Sequence, residues 1–176
     1  MIIDLRTIQP GSRTFEYVLE KNWWRSEEFE NQILALDTPL AVSLRLYTAG
    51  DKIVLEGRMN GGIQVRCDRC LQPYHRDLNA AFHVFLAFPS PESEVAEVEL
   101  LDEDMEVNFI RGEEIDVDEI VREQVYLSLP MKLLCSEDCK GLCPRCGADL
   151  NKGACQCRRE VGHPGFSKLK NLKIQE

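Results

Sequence analysis

The chain has 176 residues, 44% of them hydrophobic, which suffices for one packed domain with at most a small appendage. Its net charge of −9 divides into 12 basic and 25 acidic groups (−13) over residues 1–131, and 9 basic and 5 acidic groups (+4) over residues 132–176. This distribution excludes a protein that binds nucleic acid over a wholly basic surface, whereas an acidic body suits contact with basic proteins or simple solubility.

The amino terminus, Met1–Arg6, resembles no secretory signal, and no apolar run in the sequence reaches transmembrane length. We therefore expect a soluble, cytoplasmic protein in a reducing compartment, with no membrane partner. In such a compartment, closely spaced cysteines favour metal binding or redox chemistry over disulfides.

Alternating apolar residues predict a series of strands through the first half of the chain. Residues 14–19 form the first clear one, and residues 40–47 alternate in the same way. A turn at Ala49-Gly50-Asp51 leads into a returning strand, and Asn60-Gly61-Gly62 predicts a second turn. Six apolar residues at alternate positions from Leu78 to Phe88 then predict one long strand. Short connections between such strands indicate an antiparallel sheet.

The segments around these strands carry three further signals. Trp23-Trp24 is interpreted as a buried anchor, with an exposed partner-binding pair as the alternative. Residues 89–106 are rich in Pro, Ser and acids, which predicts a solvated loop or a docking surface for a basic partner. Asp116 and Glu119 form a capping box that opens a helix over about 116–128, with one apolar stripe.

Eight cysteines lie in four short-spaced pairs along the chain. The pairs are Cys67 and Cys70, Cys135 and Cys139, Cys143 and Cys146, and Cys155 and Cys157. Two thiolates from one tight turn can reach the same ion, and structural zinc usually takes two such pairs, with sulfur at about 2.3 Å. The sequence therefore predicts two zinc ions, each held by four thiolates.

The spacing also suggests which pairs share an ion. Cys143-Pro-Arg-Cys146-Gly147 is typical of a knuckle, because Pro fixes the entry and Gly permits a close turn with its N–H groups toward sulfur. Cys155 and Cys157 return after a short loop, so these four cysteines can close a local site. The remaining four would then form a second site that ties the upstream body to the tail.

Disulfides, thiol redox chemistry and iron–sulfur clusters are the other uses of such cysteines. The cysteine content, eight in 176 residues, is a smaller share of the chain than the roughly 8–10% typical of a short disulfide scaffold. A redox pair at Cys67 and Cys70 should open a helix in a βαβ unit, but here the pair ends a strand. Iron–sulfur ligation also uses four thiolates, and spacing alone leaves it open.

Together these elements predict an α+β fold: an antiparallel, curved or barrel-like β-sheet with one packed helix and a C-terminal zinc-knuckle segment. We predict a β-rich body over residues 1–130 and a cysteine-rich zinc segment over residues 131–165, tied to the body through Cys67 and Cys70. Residues 166–176 would form a short basic tail. Phe166, Leu169 and Leu172, spaced among lysines, predict an amphipathic helix there.

Several motifs of the chain, from roughly Leu40 to Cys157, resemble the bacterial YceD family. These motifs are Val65-Arg66-Cys67-Asp68-Arg69-Cys70-Leu71, Leu129-Pro130, Cys139-Lys140-Gly141-Leu142-Cys143-Pro144, Cys146-Gly147 and Leu150-Asn151. Members of that family are called large ribosomal RNA subunit accumulation proteins. The resemblance implies a cytoplasmic, non-enzymatic factor needed for normal accumulation of large-subunit ribosomal RNA. Some members lack most tail cysteines, which fits a shared site plus a dispensable local one.

The leading hypothesis is therefore a non-enzymatic factor in large-subunit ribosome biogenesis, which binds large-subunit ribosomal RNA or a precursor particle. The basic residues expected to face RNA phosphates are Arg145, Lys152, Arg158, Arg159, Lys168 and Lys170. One alternative is an acidic protein–protein module that binds a basic ribosomal protein without RNA contact. Another is a thiol redox enzyme, which would need a reactive thiol of low pKa.

Overall fold

A computed structural model describes residues 1–8, 11–24, 32–50, 52–88, 107–110 and 112–157. The acidic stretch over residues 89–106 and the predicted helix of the basic tail lie outside these residues.

Strands dominate the described part of the chain. They are β1 (Ile2–Asp4), β2 (Ser12–Leu19), β3 (Ile33–Leu36), β4 (Leu40–Ala49), β5 (Lys52–Arg66), β6 (Pro73–Ala87), β7 (Val107–Phe109) and β8 (Glu114–Asp116). The α-helix α1 spans Val117–Leu127, and short 3₁₀ helices span Leu5–Ile8 and Lys21–Trp23.

Six of these strands form one sheet, in the order β2-β4-β5-β6-β7, with β3 also paired to β5. All its pairs are antiparallel except β6 with β7, which is parallel. The strands β1 and β8 form a separate antiparallel pair. The predicted class, a mainly antiparallel sheet with one helix, is confirmed, and across the described residues the sheet is not closed.

The predicted turn at Asn60-Gly61-Gly62 is wrong, because β5 runs straight through it and stays paired with β6. At this point the other neighbour of β5 changes from β4 to β3. A Cβ on Gly61 would lie 3.1 Å from the backbone oxygen of Pro39, and the Gly62 carbonyl accepts a 2.8 Å hydrogen bond from Asp37 N–H. These glycines therefore allow a loop to cross close to the strand.

The core lies between one face of the sheet and α1. Leu40, Leu44 and Leu55 are fully buried on the sheet side, and Val121 and Val125 on the helix side. This burial supplies the main stabilisation of the body, at about 25 cal/mol per Å² of apolar surface.

The predicted helix is confirmed with small differences at its ends. The Asp116 carboxylate caps it by accepting a hydrogen bond from Asp118 N–H at 3.0 Å. Leu127, the last residue of the helix, is 68% exposed. Trp24 is buried and its indole N–H donates to the Ile33 carbonyl at 3.3 Å, as expected for an anchor.

Candidate metal centres

The first cysteine pair lies on the connection between the two longest strands, β5 and β6. That connection, residues 67–72, is held by hydrogen bonds from Cys67 N–H to the Gln72 carbonyl (3.0 Å) and from Leu71 N–H to the Cys67 carbonyl (2.9 Å). Leu71 adopts φ +59°, the left-handed conformation that tight turns require. The sheet therefore presents Cys67 and Cys70, both buried, at the end of its long hairpin.

The two residues between these cysteines attach the tail to the body. Asp68 N–H donates to the Leu133 carbonyl at 2.8 Å, and Leu133 N–H donates to the Asp68 carboxylate at 2.7 Å. Arg69 donates from its guanidinium to the Cys139 carbonyl at 2.8 Å and to the Glu137 carbonyl at 3.2 Å. These bonds bring the second pair, Cys135 and Cys139, against the first.

The four sulfurs of Cys67, Cys70, Cys135 and Cys139 lie within 4.8 Å of one another. The Sγ atoms of Cys67 and Cys139 are 3.8 Å apart, and those of Cys70 and Cys135 are 3.7 Å apart. A tetrahedron with zinc–sulfur bonds of about 2.3 Å has edges of about 3.8 Å, whereas a disulfide needs about 2.05 Å. We call this group the bridging quartet, and its dimensions fit a tetrahedral ion.

The sulfurs of Cys143, Cys146, Cys155 and Cys157 form a second group, also within 4.8 Å of one another. Cys143 N–H donates to the Ala148 carbonyl at 2.8 Å, and Gly147 N–H donates to the Cys143 carbonyl at 2.9 Å. Gly147 has φ +71°, the conformation expected of the knuckle glycine. We call this group the local quartet.

The backbone around both quartets favours thiolate at one cysteine of each. Backbone N–H groups of Cys146 and Arg145 donate to the sulfur of Cys143 and lower its pKa to about 6. Burial alone would raise the pKa of Cys67, but backbone hydrogen bonds from Cys70, Cys135 and Arg69 lower it to about 6. Such bonds stabilise the charged form.

A thiolate at a second cysteine of each quartet is disfavoured. Burial, followed by its sulfur neighbours, raises the pKa of Cys135 to about 12. The neighbouring sulfur of Cys146, followed by burial, raises the pKa of Cys157 to about 12. A divalent cation would supply the positive charge that these sets need, so the donor chemistry fits a metal.

A cleft of about 1180 Å³ opens beside the local quartet. Its walls include apolar side chains such as Leu142 and Leu150, and the cations Lys140, Arg145 and Lys152 also line it. No carboxylate is among its lining residues in the described part of the chain. Asp149 lies close by, with its carboxylate 3.8 Å from the Lys152 ammonium.

Comparison with known proteins gives a family. The family model described as "Large ribosomal RNA subunit accumulation protein YceD" matches residues 55–173. The chain belongs to the YceD family. That match covers all of β6 and α1, both cysteine quartets, and β5 apart from its first three residues.

Curated relatives of this YceD-family chain come from plants and mycobacteria. Over 159 residues it is 29% identical to an Arabidopsis thaliana protein named "Large ribosomal RNA subunit accumulation protein YCED homolog 1, chloroplastic", covering 78% of this chain and 50% of the relative. The Zea mays protein of that name is 26% identical, with 77% and 54% covered. An uncharacterized Mycobacterium tuberculosis protein is 30% identical over 121 residues, with 68% and 56% covered. The chain thus spans about half the length of these relatives, and no solved structure matches it.

The structure groups the cysteines of this YceD-family chain as the sequence predicted, in two sets of four. Of the predicted RNA-facing residues, it brings Arg145 and Lys152 to one cleft, while Arg158, Arg159, Lys168 and Lys170 lie outside the described residues. Sequence reasoning missed Lys140 as a third cation of that cleft. Sequence reasoning gave Asp68 and Arg69 no role of their own, although their position inside Cys67-Asp-Arg-Cys70 was the available signal. In the part of the chain that the structure describes, the helices are too short or too polar to cross a membrane.

Proposed function

We propose that the chain is a non-enzymatic factor in large-subunit ribosome biogenesis, supporting accumulation of large-subunit ribosomal RNA, with structural zinc at both quartets. The observation that carries the proposal is the YceD family match over residues 55–173, which includes all eight cysteines. Because the chain spans about half of its curated relatives, their printed role comes to it only as a proposal.

Zinc is supported by the donor sets themselves. Among the residues that the structure describes, four sulfurs converge in each quartet without a nitrogen or oxygen donor in the group, and structural zinc favours such closed four-thiolate sets. A closed set leaves no position for a reacting water, which supports a structural role over catalysis.

The packing supports a metal that stabilises the tail. Among the described residues, Leu133 is the last along the chain that belongs to the main buried cluster. Cys139, further along, is buried instead in a separate small cluster with Cys67 and Cys70. Zinc binding contributes about 10–16 kcal/mol of folding free energy in small zinc peptides. The segment after Leu133 would therefore depend on metal for its fold.

RNA contact is proposed through the cleft beside the local quartet. Lys140, Arg145 and Lys152 would contact phosphates there, and Arg158, Arg159, Lys168 and Lys170 would extend the contact along the tail. The acidic body, −13 over residues 1–131, would face away from RNA and suits a basic ribosomal protein in the same cytoplasmic particle.

Co-sedimentation with large-subunit precursor particles at two salt concentrations tests the proposal. We expect association at low salt that weakens at high salt, because phosphate contacts release counterions. A Lys140→Glu, Lys152→Glu variant should lose it at both. Lys52→Glu is the matched control, since Lys52 begins β5 and the bridging quartet lies beyond the other end of that strand. No association of the wild-type protein at either salt concentration would contradict the proposal.

The acidic charge of the body favours one second candidate, a module that binds a basic ribosomal protein and never touches RNA. Crosslinking distinguishes the two: protein crosslinks without RNA crosslinks would favour the module. A thiol redox enzyme is less well supported, because Cys67 and Cys70 converge with two further sulfurs. Metal-bound thiolates should resist alkylation until a chelator is added, whereas a redox pair should react at once.

A further inference from the structure

One side chain of the local quartet's loop contacts a cysteine of the bridging quartet. Asn151, which lies between Cys146 and Cys155 in sequence, donates from Nδ2 to the Cys139 sulfur at 3.4 Å. Its Oδ1 accepts a hydrogen bond from Lys140 N–H at 2.8 Å. The Asn151 amide therefore contacts both Cys139 and Lys140, where the chain leaves the bridging quartet toward Cys143.

The orientation of this amide is fixed by its neighbours. Lys140 N–H can only donate, so the Asn151 oxygen must face it and the nitrogen must face the sulfur. The Asp149 carboxylate accepts from both Asn151 Nδ2 (2.9 Å) and Asn151 N–H (3.0 Å). Asp149 thus holds the donor in place.

The backbone brings the whole loop to this contact. Leu150 N–H donates to the Gly141 carbonyl at 2.9 Å, and Leu142 pairs with Asp149 in an isolated bridge. Cys143 N–H then donates to the Ala148 carbonyl at 2.8 Å inside the local quartet. A local quartet closed around an ion would keep these segments, and hence Asn151, in register.

We propose that Asn151 is a positioning residue through which the two proposed metal sites stabilise each other. Its N–H offsets negative charge on Cys139, where four thiolates around a divalent ion would leave a net charge of −2. Mutating a residue that hydrogen-bonds to a metal ligand typically lowers the metal affinity 10–100-fold. Metal in the local quartet therefore strengthens metal binding in the bridging quartet. Because coupling between binding sites is reciprocal, metal in the bridging quartet strengthens binding in the local quartet by the same factor.

This inference rests on metal binding by both quartets, and cadmium-113 NMR tests the two separately. The full chain loaded with two cadmium ions should give two resonances, which establishes the sites. The Asn151 side-chain amide proton should then show scalar coupling to the cadmium bound by Cys139, transmitted through the N–H···S bond. Two resonances without that coupling would overturn the proposed role of Asn151 while leaving the metal sites intact.

Variants test the same contact by metal release into excess chelator. Asn151→Ala should speed release from the bridging quartet by roughly 10–100-fold. Asn151→Asp keeps the acceptor for Lys140 but places an oxygen against the sulfur, so release should be at least as fast. Gln156→Ala is the matched control, because Gln156 is an exposed amide between Cys155 and Cys157, and its release should equal wild type. Wild-type release from either Asn151 variant would contradict the inference.

A double cycle tests the coupling itself. Cys155→Ser with Cys157→Ser removes the local site, and release from the bridging quartet should accelerate about as much as in Asn151→Ala. Adding Asn151→Ala to that pair should then change little, since both changes remove one interaction. Additive effects, or unchanged release without the local site, would overturn the coupling. The main buried cluster ends at Leu133, so the sheet should fold in all these variants, which its amide spectrum would verify.

Discussion

Arg69 donates a guanidinium hydrogen bond to the backbone carbonyl of Cys139, 2.8 Å away. The two residues are 70 positions apart in the sequence. Arg69 lies between Cys67 and Cys70, and Cys139 is itself a member of the bridging quartet. The Arg69 carbonyl also accepts from Leu142 N–H at 3.1 Å. One residue thus contacts the tail on both sides of Lys140-Gly141.

Arg69→Ala should loosen this attachment. Hydrogen bonds to a charged group contribute about 1.5–3 kcal/mol, so we expect a loss of that order in the free energy of unfolding of the metal-loaded protein. Chemical denaturation measures it. Arg45→Ala is the control: Arg45 lies on the sheet surface over the Tyr47 ring, at 5.3 Å, and its removal should cost about 0.5 kcal/mol or less. Equal effects of the two variants would contradict the role given to Arg69.

Metal removal should separate the two parts of the chain. Because the sheet and helix share a buried core that ends at Leu133, a chelator should unfold the segment from 134 to 157 and leave the strands. Amide spectra should lose dispersion for that segment alone. Elemental analysis beforehand should give two zinc ions per chain. A fully folded tail after complete metal removal would show that the metal is not needed there.

His75 provides a pH-dependent contact outside the metal sites. Its ring nitrogens lie 2.8 Å from the Asp37 carboxylate and 3.0 Å from that of Asp77, and hydrogen bonds to Asp37 first, then Asp77, raise the pKa of His75. Because the pKa of His75 is higher in the folded than in the unfolded protein, these contacts stabilise the fold. Their contribution is fully present below the ordinary histidine pKa and is lost as pH rises through the raised value.

NMR titration of His75 should therefore give a pKa above that of an unstructured peptide. Asp37→Asn should lower it more than Asp77→Asn, since Asp37 is the larger cause. A titration of His75 at the ordinary value in the wild-type protein would contradict the contact.

Gly57 should tolerate no side chain without a rearrangement. A Cβ at this position would overlap the ring of Phe82, which is directly opposite on β6. We expect Gly57→Ala to cost about 1–3 kcal/mol of unfolding free energy, the usual cost of overpacking. In a Phe82→Ala background the same change should cost much less, and denaturation of the four proteins measures the difference. Equal costs in both backgrounds would show that the ring is not the obstacle.

The sequence was most informative where one residue type has one geometric use. The cysteine spacing predicted both quartets, and Asp116 predicted the start of α1, because thiolates and helix caps have short-range requirements. Asn60-Gly61-Gly62 misled because glycine serves both turns and close crossings, and only the loop at Asp37 distinguishes the two uses. Asn151 carried no signal of its own, because an amide can donate to many groups and only the fold places it at Cys139.

The two quartets also differ in the length of chain that each must close. The local quartet closes within residues 143–157, whereas the sulfurs of Cys67 and Cys139 are separated by 72 positions. Because a longer loop costs more entropy and β5 must first pair with β6 to present Cys67, we expect the full-length unfolded chain to capture its ions in a fixed order as it refolds. The short loop would take up its ion early, and uptake at the long one would mark the completion of folding.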